Sequence, residues 1–445
     1  MADWKLFLFW LGTTYLFWRI LYATYFLRKV YCHYHLKRLI NSDNQPSLFL
    51  FIPLLNESQI FEDLVSQIKK IISDPSRITV VFVTTEREYV LGGRSGQADT
   101  VQLVKDFLVI NDSPRLKHIH YPEINKNVAE QLNYALHKIE GDGISLQDTY
   151  FGFLNADARI SLSILRGLKE AINTHNDAEV FQVSSAFFAN KNFKGIKGLI
   201  LRANALRQTR WTFLYEVPRY LRSYPPTIDL QHVVTNGLYI RGDIFRSVGY
   251  FPTDSFGEDL YLGFLLHAAG YRPVSIPILD NSESPSTLKS MMRQKFVWFW
   301  GPYGYLYYWA RIRKRFPKIW KRRKWIIVCT TVAGILDALN WMFAGIIYPL
   351  YIFLGFTISV LFGWFALFLV SLYLTGTLVA TGLIYNIQAR ELKYAPMNIS
   401  EVFTGTFLYP LILFLHGLPP WLTIAKDLKI RWTREVYLRP KTERI

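Results

Sequence analysis

Cysteine is scarce in this chain, which has only Cys32 and Cys329 among its 445 residues. Both lie in or beside apolar segments. Two cysteines are too few for a disulfide framework or a cysteine-based metal site, so both are excluded. The apolar run of residues 6–27 lacks a small-residue cleavage site and ends at a basic pair. We therefore expect a retained transmembrane helix and not a cleaved signal peptide. Arg19 lies inside this run and must snorkel or face protein.

Charge is missing from a long C-terminal stretch. No Asp, Glu, Lys or Arg occurs in residues 338–389, and the apolar run already begins at Trp325, interrupted at Asp337. This length predicts two full membrane spans, with three as a tighter fit. Residues 402–425 are a further apolar candidate, although prolines interrupt them.

Three basic segments bear on the orientation of these spans. Residues 28–38, 311–324 and 426–444 are rich in Lys and Arg, which predicts that all three are cytoplasmic. An odd number of spans after residue 325 would place the last segment outside. Either residues 402–425 are re-entrant or interfacial, or residues 325–389 hold three spans. We expect two full spans followed by a last segment of undetermined character.

The net charge of +17 also comes from basic segments that flank apolar sequence. Residues 41–300 balance at 27 basic and 27 acidic residues, so the surplus flanks apolar sequence. This distribution favours anionic membrane lipids as partners and leaves no basic domain face for nucleic acid. Residues 301–324 mix Tyr and Trp with nine Lys or Arg and no acid. They predict an interfacial helix, with an ordinary cytoplasmic linker as the alternative.

Strand and helix patterns alternate between the apolar segments. Apolar and β-branched runs predict the strands, and apolar residues at helical spacing predict the helices. The predicted strands are 47–53, 78–84, 116–121, 150–154 and 179–187, and the predicted helices are 58–73, 101–110, 128–139, 161–174 and 260–269. This order predicts a largely parallel α/β sheet whose ligands bind at the carboxyl ends of the strands.

Polar clusters follow the predicted strands where ligands are expected. They are Asn56-Glu57, residues 125–133, Asn155-Ala156-Asp157, Asn236-Gly237 and Gly257-Glu258-Asp259, with Gln294 and Trp298 further on. Their order and spacing beside a membrane anchor resemble family 2 glycosyltransferases, in the membrane-embedded polysaccharide-synthase branch (cellulose, chitin and hyaluronan synthase-like). The resemblance implies an inverting enzyme with an α/β nucleotide-sugar-binding domain of GT-A type, joined to an α-helical transmembrane anchor.

The resemblance implies a metal site after the strand 150–154. Asp157 stands at the last position of the family's Asp-x-Asp motif, and Asn155 replaces the first Asp. A divalent cation, Mg or Mn, would then rest mainly on Asp157 and on phosphate oxygens of the nucleotide. There it would neutralise charge on the leaving group. Taken alone, the same residues are also a plain helix N-cap.

A second group of residues is implied to bind the nucleotide sugar. Pro53, Asn56 and Glu57 close the first strand, and Glu86 follows the second, where the family usually has an Asp. Lys126 matches a Gly-Lys step of the family and would contact the diphosphate. A helix cap by Glu57 and a solvated Lys126 are the structural alternatives. A UDP-sugar is the expected donor, although Glu86 leaves the nucleobase open.

Asp259 is the expected general base. An inverting transfer needs a carboxylate that accepts the proton of the attacking hydroxyl. Asp259 precedes the predicted helix 260–269 and follows Gly257, which allows close backbone approach. Its neighbour Glu258 is expected to face the structure and is counted with the acceptor-binding residues. A plain acidic N-cap is the alternative.

Gln294 and Trp298 resemble the family's Gln-x-x-Arg-Trp motif, whose Trp stacks on the acceptor sugar and whose Arg meets the diphosphate. Val297 occupies the position of that Arg. Arg293 lies four residues before Val297 and thus on the same helix face. We expect Arg293 to supply the missing charge; otherwise the diphosphate is held more weakly.

These expectations divide the chain into five parts. They are an N-terminal transmembrane helix with its basic flank (1–40), a cytoplasmic glycosyltransferase domain (41–300), an interfacial helix (301–324), a C-terminal transmembrane region (325–425) and a basic cytoplasmic tail (426–445). The predicted function is sugar transfer to a growing polysaccharide at the cytoplasmic face of the plasma membrane. Transfer of one sugar to a lipid-linked acceptor and a non-catalytic scaffold are the alternatives. Because the C-terminal spans are few, a polymer channel would require an oligomer or a channel partner.

Overall fold

The computed structural model describes residues 3–35, 46–74, 77–91, 99–124, 127–158, 161–175, 178–190, 195–222, 232–255 and 257–433. The expectations on Lys126 and on most of the tail 426–445 therefore fall outside the described residues.

A seven-stranded mixed sheet forms the centre of residues 46–315, which we call the head. Its strands are β1 Ser47–Pro53, β2 Ile78–Thr85, β3 Leu116–Tyr121, β4 Thr149–Phe153, β5 Val180–Ala186, β6 Leu238–Arg241 and β7 Pro273–Asn281. Their order across the sheet is β3-β2-β1-β4-β6-β5-β7. Neighbouring strands are parallel except where β6 pairs with β4 and β5. The prediction of a largely parallel α/β sheet is confirmed.

Two strands escaped the sequence pattern, and each has a local reason. β6 has four residues, too few to show a period of two. β7 contains Pro273 and Pro277 and lies at the edge of the sheet. An edge strand tolerates proline because one side of its backbone needs no ladder partner. The five predicted strands are present, with ends shifted by one residue at most.

The helices are α1 Asp3–His35, α2 Phe61–Ser73, α3 Arg87–Leu91, α4 Thr100–Ile110, α5 Val128–Gly141, α6 Leu162–Thr174, α7 Gly195–Trp211, α8 Val217–Leu221, α9 Gly242–Val248, α10 Glu258–Ala269, α11 Leu288–Tyr303, α12 Tyr305–Arg315, α13 Pro317–Ile358, α14 Val360–Glu391 and α15 Ile399–Thr433. The predicted helices correspond to α2, α4, α5, α6 and α10. A 3₁₀ turn, Ser58–Ile60, precedes α2.

Helices cover both faces of the sheet because side chains alternate along each strand. In β1, Leu48, Leu50 and Ile52 belong to the apolar core that includes α2, α4 and α6. Phe49 and Phe51 point the other way, into the core that includes α5, α9 and α10. Both faces of the central strands are therefore dry, and polar groups collect at the strand ends.

Four helices in the described part of the chain, α1, α13, α14 and α15, are long and apolar enough to cross a membrane. α13 and α14 correspond to the two spans expected from residues 325–389, and α15 contains the segment 402–425. α13 bends at Arg323, where the backbone is not helical. The basic sequence before that bend continues directly into the apolar part of the same helix.

α15 contacts the head near both of its ends. Near its start, a Cβ on Gly405 would meet the side chain of Leu206 in α7. Near its end, the hydroxyl of Thr423 donates to the carbonyl of Phe296 in α11 at 2.9 Å. Prolines at 410, 419 and 420 lie within the helix. α15 therefore packs against α7 near its start and against α11 near its end.

Candidate active site

A cavity of about 410 Å³ lies where the sheet meets α1, α13 and α15, three of the helices that are long and apolar enough to cross a membrane. Its wall on the head side comes from the segments after β4, β5 and β7, the segment before β6, and the start of α10. The opposite wall comes from α1, α7, α11, α13 and α15. A cavity at the carboxyl ends of parallel strands is where α/β folds bind ligands.

Six of the predicted site residues line this cavity. They are Asn155, Asp157, Glu258, Asp259, Gln294 and Trp298. They come from three separate parts of the sequence, and the fold brings them to one space. Val297, at the position of the family's Arg, lines the cavity as well.

Other predicted residues lie elsewhere. Of the described site residues, Pro53, Asn56, Glu57, Glu86 and Arg293 do not line the cavity. The first four belong to the ends of β1 and β2 and the turns that follow them. Their roles toward the nucleotide remain predictions.

A buried polar network fixes the turn after β1. The backbone N–H of Glu57 donates to the Thr100 hydroxyl at 2.9 Å, and the Thr100 N–H donates to Glu88 Oε1 at 2.7 Å. Burial raises the pKa of Glu88, while hydrogen bonds from Thr100 and the Asn56 backbone oppose that rise. Asn56 has a φ of 53°, a left-handed conformation that Asn tolerates better than most residues. The backbones of Asn56 and Glu57 are therefore fixed by hydrogen bonds within this network.

Glu86 is paired with a histidine that the sequence analysis did not single out. His120 Nε2 lies 2.8 Å from Glu86 Oε2, and its Nδ1 lies 2.9 Å from the Thr84 hydroxyl, which also contacts His118 at 2.8 Å. Burial, then the neighbouring His120, lowers the pKa of His118 to about 4. His118 and His120 are two residues apart in β3, so their side chains lie on one face of the sheet. That spacing is the feature of the sequence that could have singled out this pair.

A buried amide–carboxylate pair holds the loop that carries Asn155 and Asp157. The backbone N–H of Asn155 donates to Asn236 Oδ1 at 3.1 Å, and Asn236 Nδ2 donates to Asp280 Oδ2 at 3.0 Å. The hydroxyl of Ser282 donates to the same Asp280 oxygen at 2.6 Å. Asn236 and Asp280 are both buried. The pair therefore ties the end of β4 to the end of β7 across the intervening strands.

Asp157 fits a loosely held divalent cation better than an enclosed protein cage. It is half-buried and lines the cavity. Within the described residues, no three His, Cys, Asp or Glu side chains come together to hold a metal. One carboxylate, with the Asn155 amide two residues away, suits a hard cation that keeps waters and takes phosphate oxygens from its ligand.

Glu258 and Asp259 open α10 at the cavity. Glu258 is buried, whereas Asp259 is half-buried and accepts the Leu260 N–H at 2.7 Å through Oδ1. A helix N-terminus stabilises negative charge. Burial, and then the charges of Asp259 and Glu258, raise the pKa of the nearby Tyr308 hydroxyl. Glu258 is thus less exposed than Asp259, although both line the cavity.

The backbones of α10 and α11 approach closely beside this pair. A Cβ on Gly257 would lie 2.5 Å from the Cα of Gly301 and 3.1 Å from the Tyr308 hydroxyl. That hydroxyl donates to the Gly301 carbonyl at 3.0 Å. A side chain at position 257 would push the helices apart. Gly257 therefore sets the distance between Asp259 and the helix that carries Trp298.

Gln294 and Trp298 are fixed by neighbours on two helices. Gln208 of α7 donates its side-chain N–H to Gln294 Oε1 at 3.1 Å. The Nζ of Lys295 lies 5.7 Å from the centre of the Trp298 ring. Trp298 remains 39% exposed, so part of its ring is open to a ligand.

The sequence analysis missed the basic side chains that α7 brings to the cavity. Arg207 and Arg210 line it together with Arg19 of α1. Of the two possibilities for Arg19, snorkelling or facing protein, the structure shows the second, because its Nη2 donates to the Tyr373 hydroxyl at 2.8 Å. Arg207 and Arg210 could have been singled out from the sequence, because they are three residues apart within the otherwise uncharged stretch 203–215.

Sequence comparison gives this arrangement a family. The family model "Glycosyl transferase family group 2" matches residues 153–384, more than half of the chain. The chain therefore belongs to this glycosyltransferase family, and its sheet is the GT-A-like α/β sheet that the resemblance implied. None of the curated proteins matches the chain in sequence at a significant level.

Among solved structures, the chain is similar to the mannosyltransferase PcManGT from Pyrobaculum calidifontis, in complex with GDP-Man and Mn²⁺. That match has 14% identity, a TM-score of 0.48, and covers 98% of this chain and 100% of that one. TarS from S. aureus matches at 15% identity and a TM-score of 0.36, covering 58% of this chain and 40% of that one. A structure of TarS residues 1–349 matches at 11% identity and a TM-score of 0.37, covering 82% of this chain and 90% of that one. Likeness at these levels says nothing of donor or acceptor.

Exchanging the buried pair behind Asn155 tests its role. In Asn236→Asp, two carboxylates would face each other at positions 236 and 280, and we expect nucleotide affinity to fall about tenfold, equivalent to about 1.4 kcal/mol. The double variant Asn236→Asp/Asp280→Asn restores one donor and one acceptor and should recover most of that loss. Titration of UDP measures both. Unchanged UDP affinity in the single variant would show that the pair does not position the loop.

Proposed function

We propose that the chain is an inverting glycosyltransferase that moves a sugar from a nucleotide-diphosphate sugar to a lipid-linked acceptor at the cytoplasmic face of the membrane. The observation that carries this proposal is that Asp157 and Asp259 line the same cavity as residues of the membrane helices α1, α13 and α15. An acceptor that arrives from the bilayer needs a site of this kind.

The donor diphosphate belongs beside Asp157 in this proposal. A divalent cation, Mg or Mn, held there with the Asn155 amide nearby would supply charge neutralisation for the departing nucleotide. A UDP-sugar is the first donor to test. Arg293 is proposed to add positive charge toward the diphosphate, from a position on α11 directly before Gln294.

Asp259 is proposed as the base. It takes the proton of the acceptor hydroxyl as the hydroxyl oxygen bonds to the anomeric carbon and the nucleotide diphosphate leaves from the opposite face. Configuration is therefore inverted. Trp298 offers the exposed part of its ring to the acceptor sugar, and Gln294, held by Gln208, orients a hydroxyl.

Processive synthesis of a polysaccharide is the second candidate. Aromatic side chains on the membrane side of the cavity favour it, because sugar rings stack on such surfaces; they are Tyr15, Trp341, Tyr348 and Tyr409. Product length separates the two candidates. A single added sugar on a lipid supports the first, and a ladder of lengths supports the second.

The proposed orientation can be tested at the tail. If α13 and α14 span the membrane and α15 returns to the head side, the segment after α15 is cytoplasmic, as its basic residues require. A green fluorescent protein fused after residue 445 should then fluoresce, because it folds in the cytoplasm. An alkaline phosphatase fused after Ser359, between α13 and α14, should be active outside and serves as the control. Phosphatase activity at residue 445 would mean that α15 crosses.

Removal of the Asp157 charge tests the metal assignment. Asp157→Asn should abolish transfer with folding unchanged, because the cation loses its carboxylate. Asn155→Asp should instead lower the Mn²⁺ concentration needed for half-maximal transfer, since it restores a second carboxylate. Radiolabelled UDP-sugar turnover across a Mn²⁺ titration measures both. Full activity of the unaltered protein in excess chelator would refute metal dependence.

Neutral substitutions of the two adjacent carboxylates test the base. Asp259→Asn should reduce transfer by roughly 10²- to 10⁴-fold while UDP affinity changes little, because Asp259 faces the acceptor. Glu258→Gln is the matched neighbour and should cost far less. The reverse pattern would exchange the two roles. If neither variant loses activity, the non-catalytic scaffold gains and this mechanism fails.

A further inference from the structure

The membrane side of the cavity collects basic side chains from four helices. We call these residues the basic cluster; they are Arg19 of α1, Arg207 and Arg210 of α7, Lys295 of α11 and His416 of α15. All except Lys295 line the cavity. Lys295 is fully buried and lies within electrostatic range of Arg207. None of these side chains has a part in the mechanism proposed above.

Each member of the cluster keeps a buried polar nitrogen without a hydrogen-bond partner among the described residues. The five atoms are Arg19 Nε, Arg207 Nε, Arg210 Nη2, Lys295 Nζ and His416 Nδ1. Buried polar groups are nearly always hydrogen-bonded in folded proteins. These five nitrogens are themselves enclosed by protein, so a ligand in the cavity would meet the other atoms of the side chains that line it, those of Arg19, Arg207, Arg210 and His416.

The side chain of Arg210 is already oriented. Its Nε donates to the Thr377 hydroxyl at 2.6 Å and its Nη1 donates to the Tyr409 hydroxyl at 2.7 Å. Thr377 belongs to α14 and Tyr409 to α15, so the guanidinium is fixed against two membrane helices. The remaining Nη2 is held in place without a described partner.

The charges of the cluster are not balanced from within. The groups that act on Arg207 are Tyr409 and Arg210, and the group that acts on Lys295 is Arg207, with no described carboxylate among them. Burial lowers the pKa of Arg207 to about 10 and that of Lys295 well below its usual value. Burying cations without counter-charge costs several kcal/mol each. A bound anion would offset that cost.

The position of the cluster identifies the source of the anion. Arg19 and Arg210 contact Tyr373 and Tyr409 on membrane helices, whereas the donor diphosphate is proposed beside Asp157, at the end of β4. An anion at the cluster would therefore lie against α14 and α15, where the headgroup of a membrane lipid can reach it. Guanidinium groups match phosphate geometry better than ammonium groups do.

We propose that the basic cluster binds the phosphate or diphosphate headgroup of the membrane lipid that carries the acceptor. This inference rests on the proposed function and adds the chemical class of the acceptor to it. The headgroup is held at the membrane side of the cavity, and the sugar hydroxyl that the lipid presents reaches toward Asp259.

Arg207 is the position to change, because no described hydrogen bond is lost with its side chain. Purified full-length chain in phosphatidylcholine nanodiscs should bind geranylgeranyl phosphate or diphosphate. Geranylgeraniol, which has the same tail without charge, should not bind measurably. Inorganic pyrophosphate should bind at least tenfold more weakly than the lipid. Arg207→Gln should weaken lipid binding at least tenfold, and Arg207→Lys should recover part of the loss.

Arg293→Gln is the matched control on the neighbouring helix. It should weaken UDP binding and leave binding of the prenyl phosphate unchanged, whereas Arg207→Gln should do the opposite. The proposal is overturned if Arg207→Gln leaves lipid affinity unchanged, or if it lowers UDP affinity instead, which would assign the cluster to the donor. Tighter binding of an acidic oligosaccharide than of the prenyl phosphate would also overturn it. Lipid binding by the unaltered chain, without sugar transfer to any prenyl-diphosphate-linked sugar that carries free hydroxyls, would refute the proposed function alone.

Discussion

The contact between Gly257 and Gly301 is the constraint on which the site depends. Because neither residue has a side chain, α10 and α11 meet backbone to backbone, with 2.5 Å between the Cα of Gly301 and a Cβ built on Gly257. α11 also contacts the membrane helix α15 through the hydrogen bond from Thr423 to Phe296. α11 thus contacts both the start of α10, which carries Asp259, and α15, a helix long and apolar enough to cross a membrane.

α7 completes this coupling from the other side. Gln208 bonds to Gln294 on α11, and two residues later Arg210 bonds to Thr377 and Tyr409 on the membrane helices. Polar side chains on α7 therefore add to the apolar packing that Ala205 and Leu206 make with α14 and α15. Buried polar contacts of this kind are stable only when their hydrogen bonding is complete. The unsatisfied nitrogens of the basic cluster are therefore informative.

The sheet was predictable from the sequence because its core strands alternate and its motifs follow the strand ends. Asn155 and Asp259, both singled out in the sequence, line one cavity, and their roles remain predictions. What escaped prediction was the support behind the site. Asp280, which holds Asn236, lies on β7, an edge strand with two prolines and therefore without a clear strand pattern. α7 escaped because several faces are buried at once, and its buried polar residues resemble a solvated helix in sequence.

Side chains of both charge signs line the cavity. Asp157, Glu258 and Asp259 belong to the loop after β4 and the start of α10, whereas Arg19, Arg207 and Arg210 belong to α1 and α7; Glu216, Arg219, Glu283 and Asp337 line it as well. A neutral polymer passing through would leave the buried cations unneutralised, at a cost of several kcal/mol each. A lipid-linked acceptor supplies a counter-charge, since its headgroup is negative and its sugar is neutral and hydroxylated. The same charge would orient the acceptor as it enters, with its phosphate toward the arginines and its hydroxyl groups toward Asp259. The arginines in the cavity wall therefore favour a lipid-linked acceptor over a growing neutral polysaccharide.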